Sequence, residues 1–270
     1  MKFVARLAFF GMLILGLTAP CYAEKIVVEG STTVLPIAQK AAEVFMQKNQ
    51  GADIAVRGGG SGVGIASIID GTCDIADASR PIKESELEKA ASYGRDIKAH
   101  VIAMDGIAVV VNPSNKVSAL SKKQVADIYT GKISNWSEVG GDDQKIVVIS
   151  RDTSSGTFEA FGELVLEKAK VRPDALMQAS NQAVASVVAR TPGAIGYVGM
   201  GFLSGSVKAL KIDGVMPSRE LVLTGKYSIG RPLFMYTNGS PRGLVKDFLD
   251  FVKSSEGQQL VEGEGFIALK

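Results

Sequence analysis

The chain has 270 residues, and its 30 Lys and Arg are nearly balanced by 28 Asp and Glu. That balance gives no basic surface for a nucleic acid. A single histidine, His100, nearly excludes a His-based metal cluster, and two cysteines cannot build a disulfide framework.

The N-terminus reads as an export leader. Lys2 and Arg6 precede the uncharged apolar stretch Leu7–Leu17, and Cys21-Tyr22-Ala23 ends in a small residue before Glu24. The stretch falls short of the roughly 20 residues a membrane span needs, which leaves a buried N-terminal helix as the alternative. Pro20 directly before Cys21 argues against a lipid anchor there, so cleavage is expected after Ala23. Removing those 23 residues leaves 247, with 28 basic and 28 acidic residues and Cys73 as the lone cysteine.

From Glu24 the pattern alternates short apolar strands with helices. Ile26–Gly30 leads through Ser31-Thr32-Thr33 into a helix over Val34–Lys48, with Pro36 in its first turn. Ile54–Val56 leads through Arg57-Gly58-Gly59-Gly60-Ser61-Gly62 into the apolar face Ile65–Ile69. Asp74–Ala78 is the next strand, and Ser85 with Glu88 predicts a capping box for a helix ending near Gly94. Ile97–Val111 is a long extended run with an expected bend or crossover at Asp105-Gly106. Ser121 with Gln124 opens another helix, which stops near Gly131. Ile146–Ile149 leads through Ser150-Arg151-Asp152-Thr153-Ser154-Ser155-Gly156-Thr157 into a helix over Phe158–Lys170. Gln182–Arg190 is helical, Ala194–Val198 and Tyr227–Tyr236 are extended, Ser240-Pro241 starts a last helix, and Ile267–Leu269 closes the chain. This alternation predicts an α/β fold with mixed, mostly parallel sheets.

The three strand-to-helix turns rich in Ser, Thr and Gly carry the chemistry. Each presents free N–H groups and hydroxyls at a helix N-terminus, which is a site for an anion. Ser31-Thr32-Thr33 alone fits a plain helix cap. The glycines around Ser61 suggest close backbone approach to a ligand. Arg151 adds a permanent multidentate cation, although a surface pairing with Asp152 is the simpler alternative. Together they point to one tetrahedral oxyanion held by converging helix ends. An enzyme fits poorly. His100 is the sole candidate base, Val63 spoils a nucleophile elbow at Ser61, and Gly131-Lys132 lacks the rest of a P-loop.

These motifs also resemble a known family. Gly30-Ser-Thr-Thr-Val-Leu-Pro36, the turn at Ser61, Asp74-Ile-Ala-Asp-Ala-Ser-Arg-Pro81, Asp105–Pro113, Tyr129–Trp136, Ser155-Gly-Thr157 and Thr191–Tyr197 are similar, in order, to the periplasmic phosphate-binding proteins of ABC importers. The resemblance implies a two-lobed type II periplasmic-binding fold with crossover hinge strands, no catalysis and no cofactor. It implies a monomer that captures inorganic phosphate in the cleft and delivers it to membrane permease subunits. Lobe one would comprise residues 24–104 plus 232–270, and lobe two residues 105–231. Carried over by motif, Thr32 donates its hydroxyl, Thr33 its backbone N–H, and Ser61 donates from the second helix start. Arg151 makes the charged contact, with Ser155, Gly156 and Thr157 donating beside it. Ser79 stands where better-known members place an aspartate that accepts the proton of hydrogen phosphate. Asp77 and Asp105 are the nearby carboxylates, and Asp105 is the preferred replacement, with a solvated hinge residue as the alternative. The neutral Ser79 leaves molybdate, tungstate or sulfate as alternative ligands, and sensing as an alternative role. Gln182 departs from the glycine expected after Ser180-Asn181.

Overall fold

The computed structural model describes residues 24–269. The expected leader, with Cys21, lies outside the described residues. Three strand–helix pairs open the described chain: β1 (Glu24–Gly30) with α1 (Leu35–Lys48), β2 (Ala52–Gly58) with α2 (Ser61–Asp70), and β3 (Ile75–Ala78) with α3 (Glu84–Ser92). The 15-residue β4 (Ile97–Val111) follows. Next come β5 (Ala119–Leu120), α4 (Lys122–Thr130), β6 (Val147–Arg151), α5 (Gly156–Leu164), β7 (Leu176–Gln178), α6 (Asn181–Arg190) and β8 (Ala194–Gly199). The short β9 (Lys208–Ala209), β10 (Lys211–Ile212) and α7 (Arg219–Leu223) precede β11 (Gly230–Asn238), α8 (Gly243–Lys253) and α9 (Ser255–Gly263).

Local chemistry sets the helix ends. In α4 the Ser121 hydroxyl accepts from the Gln124 N–H at 3.1 Å, and Gln124 answers the Ser121 N–H at 2.8 Å. Gly131 ends that helix with φ of 88°. The expected box at Ser85 and Glu88 is displaced. Arg80 grips Glu86, whose carboxylate accepts the Lys83 N–H at 2.8 Å, so α3 starts at Glu84. The helix expected over Phe158–Lys170 starts at Gly156 and stops at Leu164. Glu167 and Lys168 then take positive φ, which no helix accommodates.

The main sheet runs β2-β1-β3-β11-β4-β8-β6-β7. Its flanks are parallel, and every antiparallel pairing involves β4 or β11. β4 is continuous, but its partner changes where the bend was expected: Ile97–Gly106 pairs with β11, and Ile107–Val111 pairs with β8. Separate cores lie on either side of this change. Ile26, Val28, Ile37, Phe45, Leu233 and Phe248 belong to one. Val109, Val125, Tyr129, Trp136, Phe161 and Tyr197 belong to another. Trp136 is fully buried there and donates its indole N–H to the Gly193 carbonyl at 2.9 Å.

Phe248 joins α8 to α1, its ring standing edge-on to Phe45 at 5.8 Å, with no exposed surface. Phe248→Ala is expected to destabilise the protein by about 3–5 kcal/mol, read as a lower urea midpoint at unchanged slope.

Candidate functional site

β1, β2 and β6 each deliver the chain into a helix N-terminus, and the three ends touch. The Thr33 and Thr157 hydroxyls lie 3.0 Å apart. The Gly62 N–H donates to the Ser154 carbonyl at 2.9 Å, and the Ser154 hydroxyl donates to the Gly59 carbonyl at 3.1 Å. Two glycines make this approach possible. Gly60 has φ of +101°, and a Cβ there would meet Ser154 Oγ at 2.6 Å. A Cβ on Gly156 would stand 2.2 Å from Ser61 Oγ.

Arg151 ends β6 with 1% of its surface exposed. Its Nε donates to the Gln178 carbonyl at 3.0 Å, and its Nη2 to the Ala179 carbonyl at 3.0 Å and the Thr32 hydroxyl at 3.1 Å. Nη1 is buried without a partner. Burial lowers the guanidinium to about 10, so it stays a cation at neutral pH. The surface pairing with Asp152 does not form. A buried cationic donor held open in this way has the chemistry to receive an oxyanion.

The other expected residues surround it. Ser61 Oγ accepts the Ser79 N–H at 3.0 Å and lies 3.3 Å from the Ser79 hydroxyl. Ser155 caps α5 by accepting from the Phe158 N–H at 3.2 Å, so Gly156 and Thr157 occupy its open first turn. Thr33 departs from expectation. Its backbone N–H is turned onto Ser31 Oγ at 3.1 Å, while its hydroxyl receives Asn181 Nδ2 at 2.9 Å.

Asp105 also differs from the direct acceptor expected. Its Oδ2 accepts from Arg231 Nε at 3.1 Å and Nη2 at 2.9 Å, and its Oδ1 accepts the Met200 N–H at 2.9 Å. Burial pushes the carboxyl above its usual value and pulls the guanidinium below, each resisted by the other's charge. Arg231 Nη1 donates to the Ser79 carbonyl at 3.1 Å, and Nη2 reaches the Thr33 and Thr157 hydroxyls at 3.3 and 3.1 Å. Arg231 and Asn181 were not among the expected site residues. An arginine inside the apolar run Tyr227–Tyr236 was the available signal for the first. For the second there was only a helix start after Ser180.

A PBP superfamily domain model matches residues 18–256. The phosphate-binding protein PstS of Bacillus subtilis is 40% identical over 245 residues, covering 89% of this chain and 79% of that one. The PstS of Borreliella burgdorferi is 34% identical over 260 residues, covering 92% and 91%. The chain belongs to the PstS family. A crystal structure from Clostridium perfringens, described as a phosphate ABC transporter substrate-binding protein with bound phosphate, matches with a TM-score of 0.85. That match has 35% identity and covers 92% of this chain and 100% of that one. An ABC-type phosphate transport receptor from Vibrio cholerae matches at 0.75 and 33% identity, covering 90% and 100%. The fold is therefore the two-lobed type II periplasmic-binding fold, and membership of this family makes the chain a solute-binding protein rather than an enzyme.

Within this PstS-family site one further carboxyl stands apart. Asp77, on β3, is buried with neither oxygen hydrogen-bonded, and burial pushes it well above its ordinary value. Folding therefore takes up a proton at pH values where the unfolded carboxyl has lost it. Asp77's stability contribution is fullest below the ordinary value of 3.8 and declines as pH rises. Asp77→Asn, a neutral amide of the same shape, is expected to melt higher than wild type at pH 8, by about 2–4 °C per kcal/mol of relief. The difference should close toward pH 4, which melting curves across pH will check.

Proposed function

We propose that this protein captures inorganic phosphate between its lobes and delivers it to the permease subunits of an ABC transporter. One observation carries the reading: a buried arginine with an unpartnered Nη1 stands where three helix N-termini meet. A phosphate there meets a charge-assisted fork, hydroxyls and open N–H groups, with the helix ends adding positive potential. The names of the relatives and the phosphate in the Clostridium perfringens structure support the choice of anion.

In this reading Thr32, Ser61 and Ser79 approach phosphate from lobe one, residues 24–104 plus 232–270. Arg151, Ser155, Gly156 and Thr157 approach from lobe two, residues 105–231. Thr33 and Asp105 act behind them, through Thr157 and Arg231. The hinge lies in β4 and β11, the strands that join the lobes. The protein works as a monomer outside the cytoplasm after cleavage following Ala23. Among the described residues no helix is long and apolar enough to cross a membrane.

A second oxyanion is also in view. With both Asp105 oxygens engaged and Ser79 neutral, neither position offers a free carboxylate to accept the proton of hydrogen phosphate and repel sulfate. Displacement of labelled phosphate by sulfate and molybdate tests this, and sulfate competing within tenfold of phosphate would favour the broader reading.

Arg151→Ala is expected to weaken phosphate by about 2–5 kcal/mol, roughly 30- to 5,000-fold in Kd by calorimetry. Arg151→Lys should also be damaging, because a point ammonium cannot reproduce the fork. Near wild-type binding by Arg151→Ala would remove the basis of the reading.

Because the contacts are split between lobes, capture requires closure. Small-angle scattering should give a smaller radius of gyration with phosphate than without it, and an unchanged radius would mean a preformed rigid site.

A further inference from the structure

Outside the anion site, one cluster of charges also spans the two lobes. Arg80 follows Ser79 and carries only 5% side-chain exposure. Its Nη1 and Nη2 hold both oxygens of Glu86 on α3, at 2.8 and 2.7 Å. Its Nε lies 2.8 Å from Glu159 Oε2, off the N–H direction, as an ion pair without a formed hydrogen bond. Lys83 Nζ stands 2.8 Å from the same oxygen. Glu159 belongs to α5, less than one turn beyond Gly156 and Thr157, and its side chain is 17% exposed. Arg80, Lys83 and Glu86 all lie on the other side of the seam.

We propose that Glu159 is a positioning residue for the anion site, holding the open first turn of α5 against lobe one through Arg80 and Lys83. The inference rests on the phosphate-capture reading above. The contacts across the seam follow the chain: Ser154 meets Gly59 and Gly62, Gly156 meets Ser61 and Ser79, and Glu159 meets Arg80 and Lys83. The last of these fixes the far end of the turn that delivers Ser155, Gly156 and Thr157. Separation of the lobes leaves Arg80 its Glu86 partner but takes Glu159 from both cations. The pair therefore favours the closed arrangement and is absent from the open one.

The sign of the effect separates this role from a simple field effect. Glu159 is a negative charge close to an anion site, so by field alone its removal would tighten phosphate binding. By positioning, its removal loosens binding.

The test is phosphate calorimetry and stopped-flow dissociation on wild type, Glu159→Gln, Lys83→Gln and the double variant. Glu163→Gln serves as the control, since it removes one exposed charge a turn further along α5. Glu159→Gln is expected to weaken phosphate on the order of tenfold, mainly through faster dissociation, with Glu163→Gln unchanged. Lys83→Gln should weaken binding less, and the double variant should be no weaker than Glu159→Gln alone, since the two substitutions remove the same contact. Melting without phosphate should stay close to wild type, because Arg80 keeps Glu86. A wild type that ignores phosphate overturns the ligand reading and this inference with it. A binding wild type matched or exceeded by Glu159→Gln overturns this inference alone, as does full additivity with Lys83→Gln.

Discussion

Burying the Arg231 guanidinium is the constraint around which the centre of the molecule is arranged. Arg231 and Asp105 face each other across β11 and β4, next to the point where β4 exchanges one partner strand for another. Neither charge reaches water, so each must be answered in full by protein groups. Asp105 takes the Nε N–H and one Nη2 N–H, the Thr33 and Thr157 hydroxyls share the other Nη2 N–H, and Nη1 donates to the Ser79 carbonyl. One buried cation thus touches the end of β3, the middle of β4, the turn before α1 and the first turn of α5. The geometry that satisfies it is the geometry that brings the site residues together.

The same constraint gives direction to the hydroxyls. Arginine and an amide nitrogen can only donate. The Asn181 amide is oriented because its Oδ1 accepts the Gly199 N–H at 3.2 Å, which leaves Nδ2 for Thr33. With Arg231 and Asn181 both donating to Thr33 Oγ1, the Thr33 proton is left for Thr157 Oγ1. Thr157, which also receives Arg231, then directs its own proton outward. The pair of neutral hydroxyls thus ends in one free O–H donor, on Thr157, as an anion requires, without adding another full charge.

Much of this was legible in the sequence, and the division follows contact range. The alternation of strands and helices, the Ser121–Gln124 cap, the stop at Gly131 and the three turns rich in Ser, Thr and Gly are local patterns, and local patterns survive in a linear text. Their convergence was suggested only by their repetition. What escaped depends on partners far along the chain. The α3 cap moved because Arg80 selects Glu86 over Glu88. Thr33's N–H was assigned outward, yet Ser31 two residues earlier claims it, a choice between neighbours that the motif alone does not decide. Asp105 was noticed as a carboxylate, but its counterion lies 126 residues away in an apolar run. No short-range signal marks Asn181 as anything more than the first residue of α6.

Trp136 has a consequence for anyone watching this molecule in solution. It is the sole tryptophan in the chain, sealed within one lobe and pinned by its indole N–H to the Gly193 carbonyl. None of its hydrogen-bonding capacity faces the seam between the lobes. Its ultraviolet emission is therefore a gauge of that lobe's interior and is blind to rigid-body movement of one lobe over the other. A red shift on heating reports that the core has let water in, whereas the moving parts need a fluorophore placed by design.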